Sequence, residues 1–588
     1  MNRNEIDNKY KWDLSKIYSN SNDFDKDLNT LSTYLDEIVK YEGHISDSKQ
    51  SFKNFLDLDE KIERLANKLY CYAHLNCDVE PNNQEFQRMQ VSVLTLIQKA
   101  SSKLSFINTE LCNHDNAIKT YLKDDDMQTY RYSINNILDF KPHLLSDKEE
   151  VLLAKTDSIS DLSSEVFDNL RLEYEDVDVN GEKKFLNNAT LNEFLKNKDP
   201  KVRKQAYTNF FKEYKKYENV YASTLSGVMK KDAFNADVRK FDNSLEASVF
   251  NDDVPSSLFF MILKKANEDY RPLFHKYNSL KKKILKIDDL HNYDLSVPLV
   301  DSVKINYSIE ECQNIIKETL KPFGKEYLDV INKAFDEHWI DYKPHTGKRI
   351  GAYSSGCYDT QPYILMNFIG DYDSLSTMIH ELGHSVHTYF SNHYQDPTNN
   401  EYRIFVAEVA STVNETLLIN HMINSSEGKK KAYFIYEMLE NCVGLLFRQP
   451  MFAKFEYDLH TMAEKGEPLS SKVITDLYYS QNKDYFGSDV KLDDLVGWSC
   501  YYIPHFYYNY YVYKYTLGMT VAMAIVKRIL DGDKTQVENY LNFLKSGGSK
   551  SPVDLLKQAG VDPTKEELYD DAFNYFEGLL NEFESLML

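Results

Sequence analysis

The chain has 588 residues, 42% of them hydrophobic, and a formal net charge of −22. That length supplies a large core, the charge disfavours nucleic-acid partners, and no apolar run approaches the roughly 18 residues needed to span a bilayer. Seven cysteines, odd in number and widely spaced, argue against a disulfide framework and for a reducing compartment; Met1 to Asp7 lacks the apolar core of a signal peptide, so a soluble cytoplasmic protein is expected.

Leu28, Leu31, Leu35 and Ile38, then Leu58, Ile62, Leu65 and Leu69, recur at helical spacing and mark amphipathic helices. Val177 and Val179 alternate before Asn180-Gly181, a favoured two-residue hairpin turn. A boundary is expected near residues 190–205, around Lys198-Asp199-Pro200. Glycine is scarce, 20 in 588, yet Gly347, Gly351, Gly356, Gly370 and Gly383 crowd together. Between them Ala352-Tyr353 and Tyr363 to Phe368 read as short strands. Cys357 lies nearby with no activating arrangement evident, and reads as an incidental thiol.

His380-Glu381-Leu382-Gly383-His384 is the most informative segment. Leu375, Ile379, Leu382 and Val386 recur at helical spacing, with Asp373 or Ser374 available as N-cap, so the motif lies on a helix. Two histidines four positions apart then project from nearly one side and can share a metal ion. Zn²⁺ lowers the pKa of a bound water, and Glu381 is placed to take its proton. One zinc per chain is expected, although the same ligands bind Co²⁺ or Mn²⁺. Catalytic zinc usually takes a third protein ligand. His387 would crowd three ligands into two turns, and is read instead as a residue behind the ligands or at the surface.

Glu408 is the better third ligand. It follows His384 by 24 residues, enough for a helix to end, the Asp396-Pro397-Thr398-Asn399-Asn400 cluster to turn, and an antiparallel helix to return. Glu408 and Glu415 share one face of that helix, and Glu415 is assigned to buttress a ligand histidine. An open strand edge can take up an extended peptide by β-augmentation, which makes the backbone of Gly351, Ala352 and Tyr353 a candidate substrate contact. Further on, eight tyrosines lie between 501 and 515. Read as a helix, Phe506, Tyr510 and Tyr513 share one face while Tyr507, Tyr511 and Tyr515 share another; one stripe can pack while the other lines a wet cavity.

Several of these segments together resemble the oligoendopeptidase F group of the thimet oligopeptidase family of zinc peptidases. They are Tyr10 to Tyr18, Gly351 to Gly356, Pro362 to Phe368, the His-Glu-Leu-Gly-His run, Ala407 to Ser411, Phe543 to Ser549 and Ala559 to Asp562. The resemblance spans essentially the whole chain. It implies zinc on His380, His384 and Glu408, Glu381 as general base, and His505 with Tyr513 as donors to the developing oxyanion, with Tyr510 as a further peptide contact.

The fold so implied is mainly α, a zincin-like catalytic region with a small β-sheet, enclosed by an N-terminal helical region around a deep cleft or chamber. The expected regions are 1–110, a helical region with the hairpin over 111–200, and the catalytic region over 201–588. The expected function is zinc-dependent hydrolysis of internal bonds in short peptides. The alternatives are removal of C-terminal dipeptides, or zinc and peptide binding without catalysis.

Overall fold

A computed structural model describes residues 2–301, 303 and 305–588. Among the described residues the fold is mainly helical with three small sheets. Contacts divide it into two compact units, each assembled from three chain segments. One comprises residues 1–144, 304–421 and 525–561; the other comprises 145–303, 422–524 and 562–588.

In the first unit, long amphipathic helices build the core. Helix Ser21–Ile38 buries Leu31, Leu35 and Ile38, and α1 (Lys49–Val79) buries Ile62 and Leu69. This cluster extends to Tyr363 and Leu365 of the unit's only sheet among the described residues. The opening segment around Trp12 belongs here for a physical reason. Trp12 packs edge-on against Tyr363 with centroids 6.2 Å apart, and the Tyr363 hydroxyl donates to the Asp13 carbonyl.

In the second unit the expected hairpin forms from β1 (Val177–Val179) and β2 (Glu182–Lys184). Asn180 and Gly181 turn it with φ of 56° and 88°, the left-handed pair that a type I′ turn demands. Helix α2 (Glu218–Val238) is buried along much of its length.

The sheet of the first unit has β3 (Ile340–Asp341), β4 (Tyr353–Ser355) and β5 (Tyr363–Leu365), in the order β3-β5-β4. β5 runs parallel to β3 and antiparallel to β4, with Tyr353 opposite Leu365. β4 is therefore an edge strand. It meets the motif helix α3 (Tyr372–Tyr394) through a hydrogen bond between the Ser354 and Ser385 hydroxyls, 2.8 Å apart.

Helix α3 starts earlier than its sequence suggests. Asp371, not Asp373 or Ser374, is the N-cap, accepting the Ser374 amide at 2.9 Å. A short 3₁₀ turn over Pro397–Asn399 follows, and then α4 (Ile404–Asn424). Glu408 lies near His384, Asn414 donates to the Ile379 carbonyl and Ser376 donates to Glu415, so α4 returns antiparallel to α3.

Gly383 sets how close that return comes. A Cβ there would lie 2.7 Å from the Ala410 oxygen and 2.7 Å from Ser411 Cα. Glycine inside a helix costs about 1 kcal/mol relative to alanine, a cost that close backbone packing offsets here. Gly383→Ala is expected to destabilise the protein by about 1–3 kcal/mol through overpacking, despite alanine's better helix propensity. A lowered apparent melting temperature checks this; an unchanged or raised one rejects the packing argument.

Candidate metal and catalytic site

The antiparallel crossing brings three side chains together. One donor atom each from His380, His384 and Glu408 lies within 4.8 Å of the others. The two Nε2 atoms are 3.2 Å apart, and Glu408 Oε2 lies 3.6 Å from His380 Nε2 and 3.5 Å from His384 Nε2. Two imidazole nitrogens and a carboxylate oxygen converging on one point form a donor set that suits zinc. Three lone-pair donors this close repel one another unless a proton or cation stands between them, so the geometry fits a metal ion.

The surrounding groups fix these donors. Glu415 Oε2 lies 3.2 Å from His380 Nδ1, which holds the proton on that nitrogen and leaves Nε2 facing the cluster. Ser411 donates to Glu408 Oε2 at 3.0 Å. Asn414, buried one residue before Glu415, donates to the Ile379 carbonyl at 3.1 Å and accepts from Tyr327 at 2.8 Å.

Electrostatics follow from this crowding. Burial works against the charged form of His380, but the carboxylates of Glu415, Glu381 and Glu408 outweigh it and raise its pKa to about 9. The hydrogen bond with His384 dominates at Glu408 and holds its carboxyl at about 2. Glu381 is buried, and desolvation raises its pKa against the opposing pull of His380 and His384.

His387 is not at the surface. It is fully buried, stacked on Tyr402 with centroids 3.6 Å apart, and burial lowers its pKa to about 3. Among the described residues its nitrogens have no hydrogen-bond partner, and it does not join the donor cluster.

Of the expected peptide contacts, Tyr353 lies in β4, with Gly351 and Ala352 just before it. Gly351 has φ of 85°, and its carbonyl accepts from Asn367.

The tyrosine-rich segment belongs to the second unit and is not one helix. Residues Pro504–Tyr507 form a 3₁₀ turn, Asn509 and Tyr510 take positive φ, and helix α6 (Tyr513–Leu530) follows α5 (Gln449–Glu464) in chain order. The two stripes nonetheless separate as the helical period suggests. Phe506, Tyr510 and Tyr513 are fully buried, whereas Tyr507, Tyr511 and Tyr515 are only partly so.

Tyr513 and Tyr510, expected as an oxyanion donor and a peptide contact, are both buried. The Tyr513 hydroxyl lies 3.5 Å from Asp252 Oδ2 inside the unit, and the Tyr510 ring stacks on His460. The rings around half-exposed His505 are those of Tyr508, Tyr511 and Tyr515. Tyr515 places its hydroxyl 3.5 Å from His505 Nε2. Burial lowers the His505 pKa, favouring a neutral imidazole with one N–H donor.

His380 yields a pH prediction for the metal-free protein. Its folded pKa of about 9 exceeds the ordinary value of 6.5, so its stabilisation is complete below about pH 6.5 and fades as the pH rises through 9. Metal-free Glu415→Gln is expected to melt about 2–4 °C below metal-free wild type at pH 6 and to converge with it above pH 9. A pH-independent difference rejects the ion-pair account.

The sequence matches peptidase family M3 over residues 193–575 and oligopeptidase F over residues 113–173. Oligopeptidase PepF of Bacillus subtilis (strain 168) is 37% identical over 593 residues, covering 100% of this chain and 88% of the relative. The oligoendopeptidase F homolog of Borreliella burgdorferi is 33% identical, with 100% of both chains covered. Among crystal structures, one described as a peptidase from Chlamydophila abortus aligns with a TM-score of 0.93 at 31% identity, covering 100% of this chain and 99% of that one. Oligoendopeptidase-F from Enterococcus faecium aligns with a TM-score of 0.74 at 32% identity, covering 96% and 99%. The chain therefore belongs to peptidase family M3, in its oligoendopeptidase F group, and is a metallo-oligopeptidase.

Proposed function

We propose that the protein is a zinc endopeptidase that hydrolyses internal bonds of short peptides, with Glu381 as general base. The observation that carries this reading is the convergence of His380, His384 and Glu408 beside a buried Glu381 whose pKa is raised. A zinc ion held by those three side chains would supply Lewis acidity to the scissile carbonyl and to water.

The chain's own residues do the rest. Glu381 accepts a proton from the attacking water and returns it to the leaving amine nitrogen. Glu415 keeps the His380 proton on Nδ1. The open edge of β4 pairs with the extended substrate backbone, giving affinity with little demand on side chains. His505 and Tyr515 are proposed as hydrogen-bond donors to the carbonyl oxygen as it gains charge, a role that stabilises the transition state above the ground state.

A cytoplasmic location is part of this proposal. All seven cysteines are buried and free, as suits a reducing compartment, and no helix among the described residues is long and apolar enough to cross a membrane. Short peptides are the proposed partners.

The test is hydrolysis of a peptide of about ten residues blocked at both ends, which a dipeptide-releasing enzyme cannot process. Wild type is expected to cut it internally and to lose activity with chelator, recovering with added zinc. Glu381→Gln is expected to lower kcat by about 10²–10⁴-fold while still binding zinc. An inactive zinc-loaded wild type, or a fully active Gln variant, refutes the mechanism.

A further inference from the structure

The segment bearing His505 adopts a conformation that its own residues disfavour. Asn509 and Tyr510 have φ of 29° and 54°. The left-handed region is disfavoured for a residue with a β-carbon, least for asparagine. A tyrosine held there needs an external constraint.

Glu456 on α5 supplies it. Its carboxylate is fully buried, and Oε1 accepts the Tyr510 amide N–H at 2.5 Å. Oε2 has no hydrogen-bond partner among the described residues, so this side chain makes its one hydrogen bond to the strained turn. One turn along α5, fully buried His460 has Nδ1 3.0 Å from the Glu456 carbonyl and Nε2 3.1 Å from Asp232 Oδ2 of α2. Both neighbours accept hydrogen bonds, so both imidazole nitrogens carry protons and His460 is a cation. It pairs with the buried Asp232 carboxylate, which would otherwise be costly to desolvate.

Tyr510 completes the clamp. Its ring stacks on His460 with centroids 4.6 Å apart and meets Phe259 edge-on at 5.5 Å. Ser248 donates to the Asn509 carbonyl at 3.2 Å. The turn is thus held at its backbone and at its one inward ring, just after His505 and just before the helix that carries Tyr515.

We propose that Glu456 is a positioning residue for catalysis: its buried carboxylate, seated on the Asp232–His460 pair, fixes the left-handed Asn509–Tyr510 turn and thereby sets His505 against Tyr515. The proposal rests on the reading in which His505 donates to the carbonyl oxygen during peptide hydrolysis.

Two conservative variants of the full-length zinc enzyme separate positioning from charge balance. Glu456→Asp keeps the charge beside His460 but withdraws the acceptor from the Tyr510 amide. Glu456→Gln keeps an acceptor oxygen and removes the charge. Positioning predicts that Glu456→Asp loses about 10- to 100-fold in kcat with KM changed less than about three-fold, while Glu456→Gln stays within about three-fold of wild type. A charge-balancing role alone predicts the reverse order, and that result overturns the proposal.

His505→Ala completes the test. It is expected to lower kcat by about 10²-fold or more, and adding Glu456→Asp is expected to lower it little further. Losses that multiply overturn the positioning role while leaving His505 in place. Wild-type kcat in His505→Ala instead overturns the underlying reading, and the proposal falls with it.

Discussion

The close approach of α3 and α4 at Gly383 governs the site. Because no β-carbon stands there, the Ala410–Ser411 backbone occupies that space. With an antiparallel pair at this separation, the side chains one turn to either side are also fixed in register. Glu408 faces the two imidazoles, Asn414 ties into the α3 backbone, and Glu415 reaches His380 from behind. The donor cluster is thus a property of a helix crossing more than of a loop. Rigid elements hold such constellations more tightly than mobile ones. The same crossing concentrates Glu381, Glu408 and Glu415 around two histidines, and the surplus of negative charge suits a divalent cation.

Two buried histidines show how differently one side chain can be accommodated. His387, near the donor cluster, has no polar partner among the described residues and lies flat on Tyr402; only a neutral ring is tolerable there. It acts as an aromatic spacer behind the motif. His460 meets two acceptors and is charged, because a neutral imidazole would leave one of those contacts without a proton. Packing sets the state of the first, and hydrogen-bond bookkeeping sets that of the second.

Local periodicity made the two motif histidines legible, since four-residue spacing on a helix is enough to aim them together. Glu408 was legible because the turn cluster at 396–400 forces a return. The N-cap was not, as Asp371, Asp373 and Ser374 all suit that position and only the hydrogen bond to the Ser374 amide selects among them. In the tyrosine segment the 3.6-residue period divided buried from accessible rings, although Pro504 and the left-handed turn break the helix it presumes. The surroundings of Tyr513 were not legible, because Asp252 and Phe259, which pack against it, lie far away in sequence. The Glu456 contact with Tyr510 spans 54 residues and leaves no local pattern. Trp12 against Tyr363 is likewise invisible until the chain folds.

Strand β4 carries one more consequence. It is only three residues long. A β-carbon at Gly356, just past its end, would come within 3.0 Å of Pro362 Cα, and Gly351, two residues before its start, turns with φ of 85°. Unpaired strand edges invite other copies of a chain to add to the sheet, and long flat ones seed aggregation. An edge curtailed at both ends offers backbone pairing to a passing segment yet too little length to template sheet growth. The shortness that limits its grip also protects the protein from itself.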